Sequence, residues 1–218
     1  MGSLVTHYTW LYNTKKRRLD DRENAGASRE FNDLSIFYGE EKELTKVERN
    51  CSNLPEDFYG QLVRDCIVTC VDCLIVRRNS LSQRLECILV ERSDEPAKGK
   101  WWWPGGRMFK GETFFTAALR KCKTETGLTG NCIQVLGVYN TFFPTSAWDT
   151  DKVMGTQTMN AVVLIEVADG AEVHLDKTSD RFRWTVVDPD DASERGEDKY
   201  VVAALRRMKA WKQTFPNN

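Results

Sequence analysis

Residues 106–128 read GRMFKGETFFTAALRKCKTETGL. The glycine pair Gly105 and Gly106 at its head lets the backbone turn sharply and come close to another group. Arg107 follows at once and suits a phosphate oxygen. The pattern predicts a helix from Glu112 to Glu125, with Gly127 as its stop. Glu112 then sits as an acid in the first turn, where the helix dipole favours it. Arg120 is either a surface residue of this helix or an organiser of the loop before it. Glu125 has two readings. It can pair with Lys121 one turn earlier, or it can hold a divalent cation. Mg²⁺ needs few protein ligands when substrate phosphates and water supply the rest.

Working backwards, the glycines follow three tryptophans, Trp101, Trp102 and Trp103. On an extended segment side chains alternate, so Trp101 and Trp103 share one face and Trp102 takes the other. One face is expected in the core, while the other walls the cleft or a dimer contact, which makes Trp103 a substrate-contact candidate. Further back, CIVTCVDCLIVRR and RLECILVER predict a hairpin of two strands. Asp72 interrupts the first of them, and a buried acid needs a partner; Arg92 on the second strand is available. Before the hairpin, SNLPEDFYGQLVRD predicts a short helix with Ser52 as its cap.

Working forwards, CIQVLGVYN, TMNAVVLIEV and RFRWTVVD predict three more strands, and DKYVVAALRRMKAWKQ predicts an amphipathic helix. A loop of about sixteen residues, TFFPTSAWDTDKVMGT, joins the first two of these strands, and loops of that length are often functional. The order of strands, helix, strands, helix implies a mixed sheet packed between helices.

The 218 residues suffice for one domain with a core and an appendage. Residues 1–50 form a polar, mixed-charge extension, either a partly disordered arm or a docking segment anchored by Tyr8, Trp10, Leu11 and Tyr12. Residues 51–218 form the folded domain. A net charge of -1 gives no electrostatic case for nucleic-acid binding. No apolar run reaches the length of a membrane span, and the N-terminus lacks the apolar core of a secretory signal. Cys66, Cys70 and Cys73 fall inside a predicted strand and read as reduced core thiols rather than a zinc site. That points to the cytoplasm.

The central stretch resembles the Nudix box, G-x5-E-x7-R-E-U-x-E-E-x-G-U with U hydrophobic. Gly106, Glu112, Arg120, Glu125, Gly127 and Leu128 fall at the fixed places, with Cys122 at a U position. Two box glutamates are replaced, by Lys121 and Thr124. The degenerate box resembles the GDP-mannose mannosyl hydrolase branch, which keeps a single helix glutamate and cuts at the sugar carbon. That similarity runs over residues 54–190. It implies a Nudix-type α/β/α sandwich with a mixed β-sheet, and a homodimer.

By resemblance, Glu125 holds Mg²⁺, with Mn²⁺ as a substitute, and the Gly105 carbonyl is a second ligand. Arg92, Arg107 and Arg120 face the diphosphate, and Asp72 contacts the nucleotide or holds an arginine. The branch's Gln-His pair falls at Thr178 and Ser179, its strand tyrosine at Ala161 and a further histidine at Thr141. The general base is therefore unassigned, with Asp149, Asp151 and Asp180 as weak candidates. The first expectation is an Mg²⁺-dependent hydrolase of a nucleotide sugar or related nucleoside diphosphate compound. The second is a nucleotide-binding or partner-binding protein without turnover. The third is a hydrolase of another small diphosphate, such as a prenyl diphosphate.

Overall fold

The computed structural model describes residues 33–36, 54–148 and 154–214. Among these, the chain runs α1 (Glu56–Asp65), β1 (Val68–Arg78), β2 (Leu85–Arg92), β3 (Trp101–Trp102), β4 (Gly105–Arg107), α2 (Phe114–Thr126), β5 (Gly130–Phe143), β6 (Thr156–Val167), β7 (Ser179–Val186), α3 (Pro189–Glu194) and α4 (Lys199–Thr214). The sheet order is β3-β2-β1-β6-β5, with β4 also on β1 and β7 also on β2. β1 and β6 lie parallel along nine register pairs, from Val68↔Thr158 to Val76↔Glu166. The other pairings are antiparallel, so the sheet is mixed as expected.

The two central strands are buried on both faces, which is why they read as near-continuous apolar runs. Val71, Cys73 and Ile75 of β1 pack with Ala161, Val163 and Ile165 of β6 beneath Ala117, Ala118 and Cys122 of α2. Leu74, Val76, Val162 and Leu164 face the other way, toward Val201, Ala204, Leu205 and Met208 of α4. The result is the α/β/α sandwich. Cys70 and Cys73 fall in different packing clusters, because residues three apart on a strand point to opposite faces. No helix among the described residues is long and apolar enough to cross a membrane.

Several sequence expectations need correction. Helix α2 begins at Phe114, with Thr113 as N-cap and Thr116 completing a reciprocal capping box. Glu112 therefore precedes the helix instead of sitting in its first turn. Gly127 closes the helix at φ 71, as read. Helix α1 starts after Pro55, whose side chain cannot cap; Ser52 lies outside the described residues. Short α3 was not anticipated, although Asp188 accepts from the Asp190 and Asp191 N–H groups and Pro189 follows as N1. β5 extends to Phe143, so the loop before β6 is shorter than expected. Asp149 and Asp151 lie outside the described residues, as do Tyr8, Trp10, Leu11 and Tyr12.

The tryptophan alternation fails at its third member. β3 stops at Trp102, and Pro104 and Gly105 bend the chain at once. Trp103 swings into the same core as Trp102 and is 1% exposed. It cannot wall a cleft or touch a substrate. Trp102 stacks on Tyr200 of α4 at 4.9 Å, and Trp101 lies under the Arg183 guanidinium at 4.2 Å.

Candidate active site

The glycine turn becomes strand β4, which pairs antiparallel with the start of β1: Asp72↔Gly105, Val71↔Gly106 and Cys70↔Arg107. This places the box entry over the end of the sheet, with the C-terminal half of α2 beside it. Only glycine permits the approach at residue 105. A Cβ there would overlap the Val71 carbonyl and Asp72 Oδ1 and lie 2.9 Å from Asp72 Cα.

Glu125 points from α2 into this junction and is 5% exposed. Its Oε2 accepts from the Gly105 N–H at 2.7 Å. Its Oε1 is ion-paired with the Lys121 ammonium. Burial pushes the Glu125 carboxyl above the usual range, against the pull of Lys121. Lys121 itself lies against Gly106, where a Cβ would meet Nζ at 3.0 Å. Gly106 sits at φ 141, open to this contact because it carries no side chain.

The three arginines divide into two kinds. Arg107 lies over the Tyr59 and Phe109 rings at 4.7 and 5.1 Å. Arg92 donates from Nε to the Pro96 carbonyl at 2.8 Å. Among the described residues no carboxylate ion-pairs with either, so both keep charge to offer a ligand. Arg120 does not. Both Nε and Nη2 are spent on the Glu112 carboxylate, Nη2 also reaches the Arg107 carbonyl at 3.1 Å, and the guanidinium covers Phe109 at 4.0 Å. Glu112 in turn accepts from the Phe109 N–H at 2.7 Å. Arg120 and Glu112 thus hold the loop that presents Arg107, and the expected diphosphate contact of Arg120 is replaced by a positioning role.

The expected pairing of Asp72 with Arg92 is also corrected. Asp72 Oδ2 accepts from Tyr200 Oη at 2.6 Å and Asn160 Nδ2 at 2.5 Å. Both partners come from far along the chain, on α4 and β6. Asn160 Oδ1 in turn meets the Thr158 and Thr141 hydroxyls. At 3% exposure Asp72 is a support beneath β4, not a nucleotide contact. Burial pushes its carboxyl up from 3.8 to about 6, although the Tyr200 and Asn160 hydrogen bonds and the Arg92 charge oppose this.

A stability prediction follows from that shift. The folded state holds the Asp72 proton in a range where the unfolded chain releases it. Stability is therefore fullest below about 3.8 and falls as pH rises toward about 6. The loss is on the order of 3 kcal/mol. Asp72→Asn should flatten this slope in urea melts between those pH values and raise stability at neutral pH. A variant that keeps the parent slope would contradict the assignment.

Asp180 is exposed on β7. A carboxylate that the sequence reading passed over comes closer to the box glutamate. The Asp176 N–H donates to the Glu125 carbonyl at 3.3 Å, and its charge acts on the Glu125 carboxyl. Its Oδ1 accepts from the Thr178 N–H and hydroxyl at 2.9 and 2.6 Å. The Asp-Lys-Thr run was the available signal, as an Asx turn. Lys121 was legible both as a departure from the box and as the partner of Glu125 one turn earlier, and that pairing is the one found.

The donor set does not fit the metal centre expected by resemblance. Among the described residues no three His, Cys, Asp or Glu side chains group to hold an ion. Both Glu125 oxygens already have partners, one of them a cation. A divalent ion on Glu125 would sit against the Lys121 charge, a repulsion of several kcal/mol, on the order of the Coulomb energy at 4 Å in a partly hydrated site.

Residues 68–211 match the NUDIX domain family. Agl8, a low-salt glycan biosynthesis protein of Haloferax volcanii, is 29% identical over 101 residues, 46% of this chain and 61% of that protein. An ADP-ribose pyrophosphatase of Methanocaldococcus jannaschii is 37% identical over 70 residues, 32% of this chain and 38% of that protein. The chain thus spans less than two thirds of either relative. Among solved structures, a C. elegans Ap4A hydrolase binary complex has a TM-score of 0.53 at 19% identity, covering 68% of this chain and 99% of that one, which is a likeness of fold. With the box, the sandwich and a family match over most of the folded part in agreement, the chain belongs to the Nudix family.

Proposed function

We propose that this chain hydrolyses a nucleoside diphosphate compound, and specifically a nucleotide sugar of the GDP-mannose kind, by attack of water at the sugar carbon. The observation that carries the reading is the pairing of Lys121 with the single box carboxylate, with Arg92 and Arg107 in electrostatic reach of Cys70 at the start of the same strand β1, as Lys121 is. A diphosphate leaving group needs its developing charge neutralised, and fixed cations do this without reorganisation. Attack at phosphorus by a water held between several metal ions would need the carboxylates that Lys121 and Thr124 replace. The name of one relative, an ADP-ribose pyrophosphatase, favours a nucleoside diphosphate compound as substrate.

Nudix hydrolases generally use divalent metal ions. In this reading the side chains hold the leaving group, and no Mg²⁺ or Mn²⁺ sits on Glu125. An inverting attack wants a base on the far face of the sugar. Asp176 is the carboxylate we assign first, ahead of Asp180. A cytosolic homodimer belongs to the same proposal; the thiols Cys70, Cys73, Cys87 and Cys122, all free and buried, support the compartment.

The test is a substrate panel of GDP-mannose, GDP-glucose, UDP-glucose, ADP-ribose and a prenyl diphosphate, with products resolved by chromatography. Turnover of a GDP-sugar to free sugar and GDP is expected. One observation favours a second reading, in which the protein binds a nucleotide without turnover: Lys121 neutralises the box glutamate. Nucleotide binding by calorimetry with no hydrolysis of any panel member would select it.

A further inference from the structure

The place beside Glu125 where a box carboxylate would normally attract a metal is filled by a side chain of this chain. Lys121 occupies the position of the first helix glutamate of the box. Its side chain is 19% exposed, and its ammonium is ion-paired with a carboxylate that is itself 6% exposed. An ammonium carries three donors. One is used by Glu125. Nζ lies against Gly106, next in sequence to the Gly105 amide that serves Glu125. Gly106 has no side chain, and a Cβ there would press on Lys121 Cε at 2.9 Å. The glycine turn therefore accommodates the lysine as closely as it would a bound cation.

We infer that Lys121 replaces the divalent ion at this site, so that the chain binds the diphosphate of its ligand through a tethered ammonium and without metal. This rests on the proposed function for its ligand class, and it adds a residue outside the expected ligand set. Lys121 cancels the Glu125 charge, and Arg92 and Arg107 have no carboxylate ion-paired to them among the described residues. A metal ion added to the same place would meet Lys121 at contact.

Two measurements on the full chain test this. The first is a titration of Mn²⁺ alone, followed by electron paramagnetic resonance. The parent should show no site that Glu125→Gln removes, while Lys121→Glu, which restores the box residue, should gain one. A Mn²⁺ site in the parent that Glu125→Gln removes would overturn the inference, whatever the substrate is. The second is calorimetry with GDP, ADP and inorganic pyrophosphate, in EDTA and in Mg²⁺. The parent should bind at least one of them equally well in both. Lys121→Met should weaken binding in EDTA by about tenfold to a hundredfold, and Lys121→Arg should recover part of it. Lys121→Glu should bind only with Mg²⁺. Binding by the parent that disappears in EDTA would overturn the inference. No binding by the parent under either condition would instead refute the proposed function, leaving the Mn²⁺ titration to decide the role of Lys121. Thermal melts of each variant separate lost binding from lost folding.

Discussion

Gly105→Ala is expected to destabilise the fold strongly. The β4 backbone runs so close to β1 that a methyl group at residue 105 overlaps the Val71 carbonyl, which is main chain and cannot move aside. The other obstacle, Asp72, is fixed from two sides by Tyr200 and Asn160. Relief therefore requires β4 to lift away, which breaks the Gly105 amide bond to the buried Glu125. Overpacking alone costs about 1–3 kcal/mol, and a buried carboxylate left without its donor adds about 1–3 kcal/mol. For a chain of this size the sum corresponds to a loss of melting temperature of about 10 °C or more. Gly170→Ala is the control. It also replaces a glycine, at φ 74, but a Cβ there meets nothing within 4 Å. It should cost only about 1 kcal/mol, for the backbone conformation. Melts that place both variants together would show that close approach is not what seats β4.

Arg107→Met should leave the fold nearly intact and remove most activity. The guanidinium lies over Tyr59 and Phe109, contacts worth about 0.5–1 kcal/mol each at exposed sites. A methionine keeps part of that packing. Under the proposed function it loses a charged donor to the leaving group, and deleting one such donor typically costs about 10²–10³ in rate. Steady-state kinetics on the best panel substrate should show that drop in kcat/KM, with Arg107→Lys intermediate because a lysine keeps the charge but not the planar fork. Unchanged kcat/KM would remove Arg107 from the site and with it the proposed orientation of the diphosphate. Arg120→Lys is informative beside it. Arg120 acts through Glu112 and the Arg107 carbonyl, so its loss should lower stability and activity together.

The parts of this structure legible in the sequence are those fixed by local chemistry. Gly127 ends α2 because a left-handed residue is needed there, and glycine is the residue that takes it at no cost. The strands could be read because residues 73–76 of β1 and 161–165 of β6 are buried without a break and are all apolar. The Nudix box could be read because its spacing matches one turn and one helix. What escaped depended on partners distant in the chain. Asp72 was expected to use Arg92, its neighbour across the hairpin, but Tyr200 and Asn160 arrive from α4 and β6 to satisfy it. Trp103 was placed by strand alternation, which Pro104 ends one residue too soon. Arg120 could be read as a ligand contact or a loop organiser, and only the fold shows Glu112 curling back to engage it. Asp176 gains its place beside Glu125 because the segment before β7 hydrogen-bonds to the end of α2, a pairing with no periodic signature.

In the proposed function, fixed cations at this degenerate box support attack of water at the sugar carbon of a nucleoside diphosphate sugar. Hydrolysis of GDP-mannose in ¹⁸O-labelled water, with both products read by mass spectrometry, tests this. The label is expected in the free sugar, with none in GDP. Label in a phosphate product would contradict it, because water would then have attacked phosphorus despite the lysine on Glu125.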